Sequence, residues 1–369
     1  MAIDRRAFIR LGLGGLLLGP AMVMAGTGAG RQRLLSCRSD DSGGHFLSMV
    51  DVDGGRLLDV ALPGRGHGLA VDPMQLRAAV FARRPGTFAW IVDLASGQVS
   101  HRIAAAPGRH FYGHGQFTAD GARLLCSEND YASGDGVIGV YDASDSYRRL
   151  GELPSHGVGP HEIRLLADGR TLVIANGGIR THPDLPRVKS NLASMRPNLA
   201  YVDVASGRLL HRHEPEGRWH QLSIRHIDVS PDDRVAVAMQ FEGDSRLLPP
   251  LIAIQQAEQP MRLLSAPDGV QRRLRNYCGS VAFDADGRRF AVSSPRGGLV
   301  TFWSAGGDYL GLHDQADACG VARTDGGGQG FVVSDGGGTL TGVDEDLVAT
   351  ARTSFPGCRW DNHLLTLRT

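Results

Sequence analysis

The chain contains a single lysine, Lys189, which removes most Schiff-base and phosphate-lysine chemistries from consideration. Neither sign of charge is in excess, since 39 basic residues balance 39 acidic ones. No nucleic-acid surface or polybasic membrane patch is therefore indicated. Cysteine is scarce: Cys37, Cys126, Cys278, Cys319 and Cys358 form an odd set without a C-x-x-C pair. A disulfide framework is not expected, although one bridge would be compatible with an oxidising compartment. Long helical periodicity is missing, as are a G-x-S-x-G elbow, a P-loop and an H-E-x-x-H helix, so the common hydrolase and zinc-protease assignments lack support. Gly134 to Gly139 matches G-x-G-x-x-G but precedes a strand instead of joining strand to helix, which argues against a dinucleotide site.

The opening segment is distinctive. Asp4-Arg5-Arg6-Ala7-Phe8-Ile9-Arg10 is followed by an apolar, glycine-rich run from Leu11 to Val23. This reads as a twin-arginine export signal. The run is shorter than the roughly 20 residues that a membrane-spanning helix needs, so no stable membrane anchor is expected. Val23-Met24-Ala25 resembles a small-residue cleavage site, placing the cut near Ala25. The expected organisation is a signal peptide and linker over 1–30 and one domain over 31–369 in the periplasm. The twin-arginine route carries folded proteins, which leaves room for a cofactor acquired before export.

Glycine is abundant, at 50 residues, and short alternating segments end in D-G, A-D-G or S-G. Such punctuation belongs to strands joined by tight turns. A unit recurs in which His or Cys beside a short link opens an apolar strand, an Asp-Gly-like turn follows, and a second strand returns. It begins at His67, His114, His161, His226, Cys278, Cys319 and His363. The spacing of about 40 to 65 residues is that of WD40- or YVTN-like four-stranded propeller blades. The last unit runs out of chain after one strand, His363–Thr369, whereas Leu34–Cys37, His45–Asp51 and Arg56–Leu62 are three strands without an innermost partner. The predicted fold is thus an all-β, seven-bladed propeller closed by N-terminal strands joining the C-terminal strand. A β-sandwich would leave the period unexplained.

The histidines carry the chemistry. His67, His110, His114, His156, His161, His213, His220, His226, His313 and His363 are placed by this scheme at connections into innermost strands, at one mouth of the channel. His182 and Asp184 fall in a second-to-third-strand loop, with Glu128, Asn129 and Asp130 in the equivalent loop one blade earlier. His67, His114, His161, His226 and His363 are the candidate metal ligands, with Glu162 or Asp130 balancing charge and Cys319 as a further thiol. Neutral imidazole with carboxylate favours iron or copper over calcium or magnesium. Release is expected as pH falls through roughly 6.5, where free imidazole protonates. The same Gly-His pattern also serves a structural role, tying strands together by hydrogen bonds. The run Cys358 to Asn362 reads as packing around the closure.

At these positions, GRHFYGHG, SEND, GVIGVYD, HGVGPHE, VIANGGIRTHPD, LSIRHID, NYCGSVAF, SSPRGG, CGVA and WDNHL make the chain resemble the domain-of-unknown-function family numbered 1513. The likeness runs through essentially the whole chain after the signal. Its members are twin-arginine-exported, propeller-like periplasmic proteins encoded near imelysin-like and di-haem-peroxidase-like proteins. The resemblance implies a role in iron acquisition, with those proteins as partners. The family motifs fall on His67, His114, Glu128, Asn129, Asp130, His161, Glu162, His182, Asp184, Arg225, His226, Cys319 and His363, whereas Cys278 stands where an aliphatic residue is usual. Two roles follow: a metal-binding protein using the histidine-lined channel, or a non-catalytic platform for partners of the same pathway. No catalytic residue or reaction is assigned.

Overall fold

The alternating segments pair because each Asp-containing turn closes its own hairpin. Asp40 Oδ1 accepts from the Ser42 and Gly44 amides at 3.0 and 2.7 Å, and Asp51 Oδ1 accepts from Asp53 and Gly55 at 2.9 and 3.1 Å. Asp93, Asp142 and Asp203 repeat the arrangement in other blades. A side chain that satisfies turn amides in this way fixes the hairpin register.

The computed structural model describes residues 32–367 apart from 84–86, 183, 186–187 and 326–329. The paired arginines and cleavage site of the expected signal lie outside the described residues. Seven four-stranded antiparallel sheets result. The first blade comprises Gly66–Val71, Arg77–Ala82, Phe88–Asp93 and Val99–Ala104, and the second Arg109–Phe117, Arg123–Asp130, Gly136–Asp142 and Arg148–Pro154. The third runs from Pro160–Leu165 to Leu209–His213 and the fourth from Leu222–Val229 to Arg262–Leu264. The fifth and sixth open with Ser280–Phe283 and Ala318–Arg323.

The seventh blade joins the two ends of the domain. Its strand order is Cys358–Leu367, Arg33–Asp40, His45–Asp51, Arg56–Leu62. Arg33 pairs with Leu367 and Asp40 with Cys358. The closing strand therefore starts at Cys358, earlier than the sequence suggested, because Cys358, Arg359 and Trp360 pair with Asp40, Ser39 and Arg38. Each innermost strand packs against the next, and the seventh against the first. This seven-bladed propeller completes every blade with four strands and leaves only short, protected edges.

Burial follows position within the blade. The third strands are enclosed on both faces, as in Asn198–Asp203, whereas outermost strands such as Arg148–Pro154 alternate between half-buried and exposed residues. Inter-blade layers of Phe81, Phe111, Phe117 and Tyr141, or of Phe283, Phe290 and Trp303, fill the spaces between sheets. At roughly 1.5–3 kcal/mol for each fully buried large apolar side chain, these layers dominate stability. Among the described residues, no helix is long and apolar enough to cross a membrane.

Candidate metal centre

Five innermost strands carry an imidazole into the channel. His67, His114, His161, His226 and His363 are each no more than 9% exposed. Nearly every one lies at or beside a register shift. The pairing breaks between Gly66 and Leu69, Phe111 and Gly115, Pro160 and Ile163, Ile224 and His226, and opposite His363 between Ser36 and Arg38. A bulge re-aims a side chain out of the alternating pattern. The fifth blade pairs without a shift and carries no imidazole.

Glycine makes the close approach possible. A Cβ on Gly68 would collide with the Gly113 carbonyl, and Gly113 has φ +98, in the left-handed region. The first two blades can therefore bring His67 and His114 together only with glycine at these positions.

The rings form one knot. Their centroids lie 4.5 to 6.2 Å apart for nine of the pairs. His114 Nε2 and His363 Nε2 are 2.9 Å apart. Without an ion, one ring donates and the other accepts. Two imidazoles bound at right angles to one ion, with each nitrogen ~2.0–2.1 Å away, would have this same separation of about 2.9 Å. Ligand atoms of His114, Glu162, His226 and His363 all lie within 4.8 Å of one another, as do those of His67, His114 and His161. His114 Nδ1 and His161 Nδ1 are buried without a hydrogen-bond partner. Leaving such an atom unsatisfied costs about 1–3 kcal/mol; an ion on Nδ1 would remove that cost, whereas one shared by the Nε2 atoms of His114 and His363 would not.

Carboxylates orient two rings. Asp361 Oδ1 is 2.9 Å from His67 Nδ1, and Glu162 Oε2 is 3.3 Å from His226 Nδ1. In each case Nε2 remains for another partner, the arrangement that positions metal-ligating histidines. Burial opposes ionisation of Asp361, yet its hydrogen bond with His67 and the charges of Arg83 and Arg65 hold the carboxyl far below its usual range. Burial likewise opposes ionisation of Glu162, but Arg164 and His226 bring it to about 2. Desolvation lowers the His67 imidazole to about 4 and pushes His114, His161 and His363 well below their ordinary value. These rings are neutral at pH 7, which is the ligating form.

The other predicted site residues lie elsewhere. Glu128, Asn129 and Asp130 end a second strand, Arg123–Asp130, and do not form a loop. Glu128 is fully buried inside its blade, where Tyr141 donates to it at 2.6 Å and Arg149 Nη2 is 3.0 Å away. Asn129 donates to the Thr181 carbonyl at 3.2 Å, and Asp130 pairs with Arg109 at 3.2 Å. His182 and Asp184 form a solvent-facing pair at 3.6 Å. Arg225, beside His226, is buried and 3.8 Å from Glu242. Cys319 donates to the Asp317 carbonyl at 3.1 Å, and burial raises its thiol above the ordinary range, disfavouring the thiolate that ligates metals.

The expected convergence of most histidines on one mouth does not occur. His213 and His313 stand in outermost strands, and His156 bonds the Gly207 carbonyl at 2.9 Å. The five clustered rings lie inside the channel. A cavity of about 550 Å³ reaches Glu162 and His363 from the opposite end, among residues where innermost strands finish, such as Asp72, Thr118 and Leu367. A groove of about 690 Å³ that includes Asp130 and His156 contains none of the five. Sequence reasoning missed Asp361 as a site residue, together with Arg65, Arg83 and Arg164. The available signal was a carboxylate two residues before a candidate ligand.

The fold recurs in Kuenenia stuttgartiensis hydrazine synthase, which is 15% identical, with a TM-score of 0.64 over 84% of this chain and 94% of that chain. At that identity the likeness concerns architecture alone. No curated protein matches in sequence. Residues 60–367 match the family described as proteins of unknown function, DUF1513, and with most of its length inside that match the chain belongs to this family.

Proposed function

We propose that this protein is an exported periplasmic metal-binding propeller serving iron acquisition, with a transition ion held in the channel by His114, His226, His363 and Glu162. His67 and His161 complete the imidazole wall. The observation that carries the reading is the convergence of five buried imidazoles on one carboxylate-bearing knot. A propeller channel lined only for structure would have its buried ring nitrogens paired, and two here are not. Imidazole with carboxylate suits iron or copper and poorly suits calcium or magnesium. A bound ion would supply Lewis acidity or one-electron chemistry, while Glu162 offsets its charge and Asp361 fixes His67. The Arg5–Arg6 pair supports export after folding, by which time an ion could already be in place. Imelysin-like and di-haem-peroxidase-like proteins are the partners this reading names.

Elemental analysis of protein taken from the periplasm of its native host tests the site. One equivalent of iron or copper is expected. A folded protein without metal would favour the docking platform instead. Replacing Arg5 and Arg6 by Lys should leave precursor in the cytoplasm, because Lys keeps the charge but not the guanidinium pair; normal periplasmic accumulation would sink the export assignment.

A further inference from the structure

We infer that the cavity at the strand-end mouth is a pocket for a small oxyanion, a carboxylate or a phosphate, anchored by Arg323 and opening onto the metal; this rests on the metal reading above. Glu162 and His363 form its inner end, and Arg164, Asp228, Arg323 and Thr366 stand on its wall. Its volume of about 550 Å³ lies in the range of small-molecule sites.

Two adjacent blades leave the ion's shell incomplete. Four blades supply an imidazole within the two residues before regular pairing resumes, and the fourth blade places His226 at the resuming residue itself. The fifth blade pairs regularly from Ser280, and the sixth offers Cys319 and Gly320 before Val321, with the Cys319 thiol turned to the Asp317 carbonyl, so neither blade supplies an imidazole. The innermost strands of those same blades line the cavity through Ser280, Val281, Val321 and Arg323. All seven innermost strands reach this cavity, and the sector without imidazoles is among them.

The charges around the channel require an anion. Asp361 is spent on Arg65 and Arg83, at 2.7 and 3.2 Å, and Glu162 on Arg164 at 2.6 Å. Asp228 faces Arg164 at 3.7 Å and accepts from the Phe283 amide at 2.8 Å. Among the described residues, no carboxylate lies within ion-pair distance of the Arg323 guanidinium. A divalent ion held by Glu162 would share that one carboxylate with Arg164 and be at most half offset by it, and an uncompensated buried charge is strongly disfavoured. Arg323 is well placed to hold the balancing group. It is half-buried in the cavity lining, its backbone is fixed by bonds to its carbonyl from Gln32 at 3.0 Å and Thr366 at 2.5 Å, and a guanidinium fork matches two oxygens of a carboxylate or phosphate.

Calorimetric titration of the full exported protein, metal-loaded and metal-stripped, with citrate and with inorganic phosphate tests this. One equivalent of one anion should bind, at least tenfold tighter to the loaded form; citrate preference identifies a carboxylate, phosphate preference a phosphate. Arg323→Gln should weaken binding tenfold or more with metal content and melting temperature unchanged, and Arg323→Lys should recover part of the loss. Binding of neither anion to metal-loaded protein, or equal binding by Arg323→Gln, overturns the pocket and leaves the metal reading intact. If the parent carries no metal, the metal reading fails by itself. The pocket is then upheld only if stripped protein binds an anion in an Arg323-dependent way, and otherwise falls with it.

Discussion

His67 and Asp361, 294 positions apart in sequence, are joined by a 2.9 Å hydrogen bond between Nδ1 and Oδ1. The bond crosses the seam between the first and seventh blades, so closure of the ring and orientation of a candidate ligand depend on one carboxylate. Asp361→Asn keeps the shape and removes the charge. Arg65 and Arg83, with side chains 49% and 32% exposed, can turn toward water, which limits the cost to about 1–3 kcal/mol. The amide oxygen of Asn can still accept from His67 but holds the ring less firmly, and if the ion sits in the His67, His114 and His161 group its binding should weaken by roughly 10- to 100-fold. Denaturant titration and metal titration of the same variant check both; unchanged affinity would place the ion in the His114, Glu162, His226 and His363 group instead.

Deleting the segment from Leu364 onward should cost several kcal/mol. Leu364 and Leu367 are buried at 4% and 6% exposure, each worth roughly 1.5–3 kcal/mol, and the strand Arg33–Asp40 would lose half its ladder. A sheet edge would be exposed inside the ring. An unchanged melting temperature would contradict the closure.

The blades were legible because the units starting at His67, His114, His161 and His226 repeat strand, turn and strand at blade spacing. The closing partner of the N-terminal strands was legible because three strands lacked an innermost neighbour. Its true start at Cys358 was hidden: the run from Cys358 to Asn362 reads as packing around the closure and not as strand, and only the opposing arginines and His67 make burial of Asp361 favourable. Glu128 misled for the converse reason. SEND reads as an exposed acidic loop, whereas Tyr141 and Arg149 on neighbouring strands satisfy the carboxylate inside the blade. The five imidazoles were recognised individually, but the bulges that aim them together, and the end of the channel from which they are reached, depend on tertiary register.

Acid should destabilise the metal-free protein over a defined window. The buried His67 imidazole titrates near 4 instead of its ordinary 6.5. Below about 6.5 the unfolded chain binds a proton that the folded chain refuses, so unfolding free energy falls with pH. The contribution is complete above 6.5 and lost on the way to about 4, on the order of 3 kcal/mol for this one residue. His114, His161 and His363 shift in the same direction. Glu162, held near 2, acts only at lower pH, where protonation removes its contribution. Chemical denaturation between pH 7 and 5 should show a falling midpoint, and a flat profile would refute neutral burial of the rings. It follows that bound metal should persist at pH 6, below the release point that free imidazole suggests.

The double variant His114→Ala with His161→Ala separates a ligand role from a structural one. His114 belongs to both groups of candidate ligands, and His161 to one, so removing the pair disrupts each group. Both rings have a buried Nδ1 without a hydrogen-bond partner, and their loss therefore breaks few polar contacts in the metal-free state. His114 does lose its 2.9 Å bond with His363, worth about 0.5–1.5 kcal/mol net. Relief of two unsatisfied nitrogens and of crowding among the rings offsets part of that and part of the lost packing. The metal-free variant should consequently melt within a few degrees of the metal-free parent. The metal-loaded parent should melt higher than either, because an ion that binds only the folded state stabilises it by mass action. Metal content and melting temperature, measured on parent and variant with and without metal, give the decision. Loss of metal with little change in the stripped proteins marks the rings as ligands, whereas a large drop in stability with no metal in the parent marks them as ties between blades.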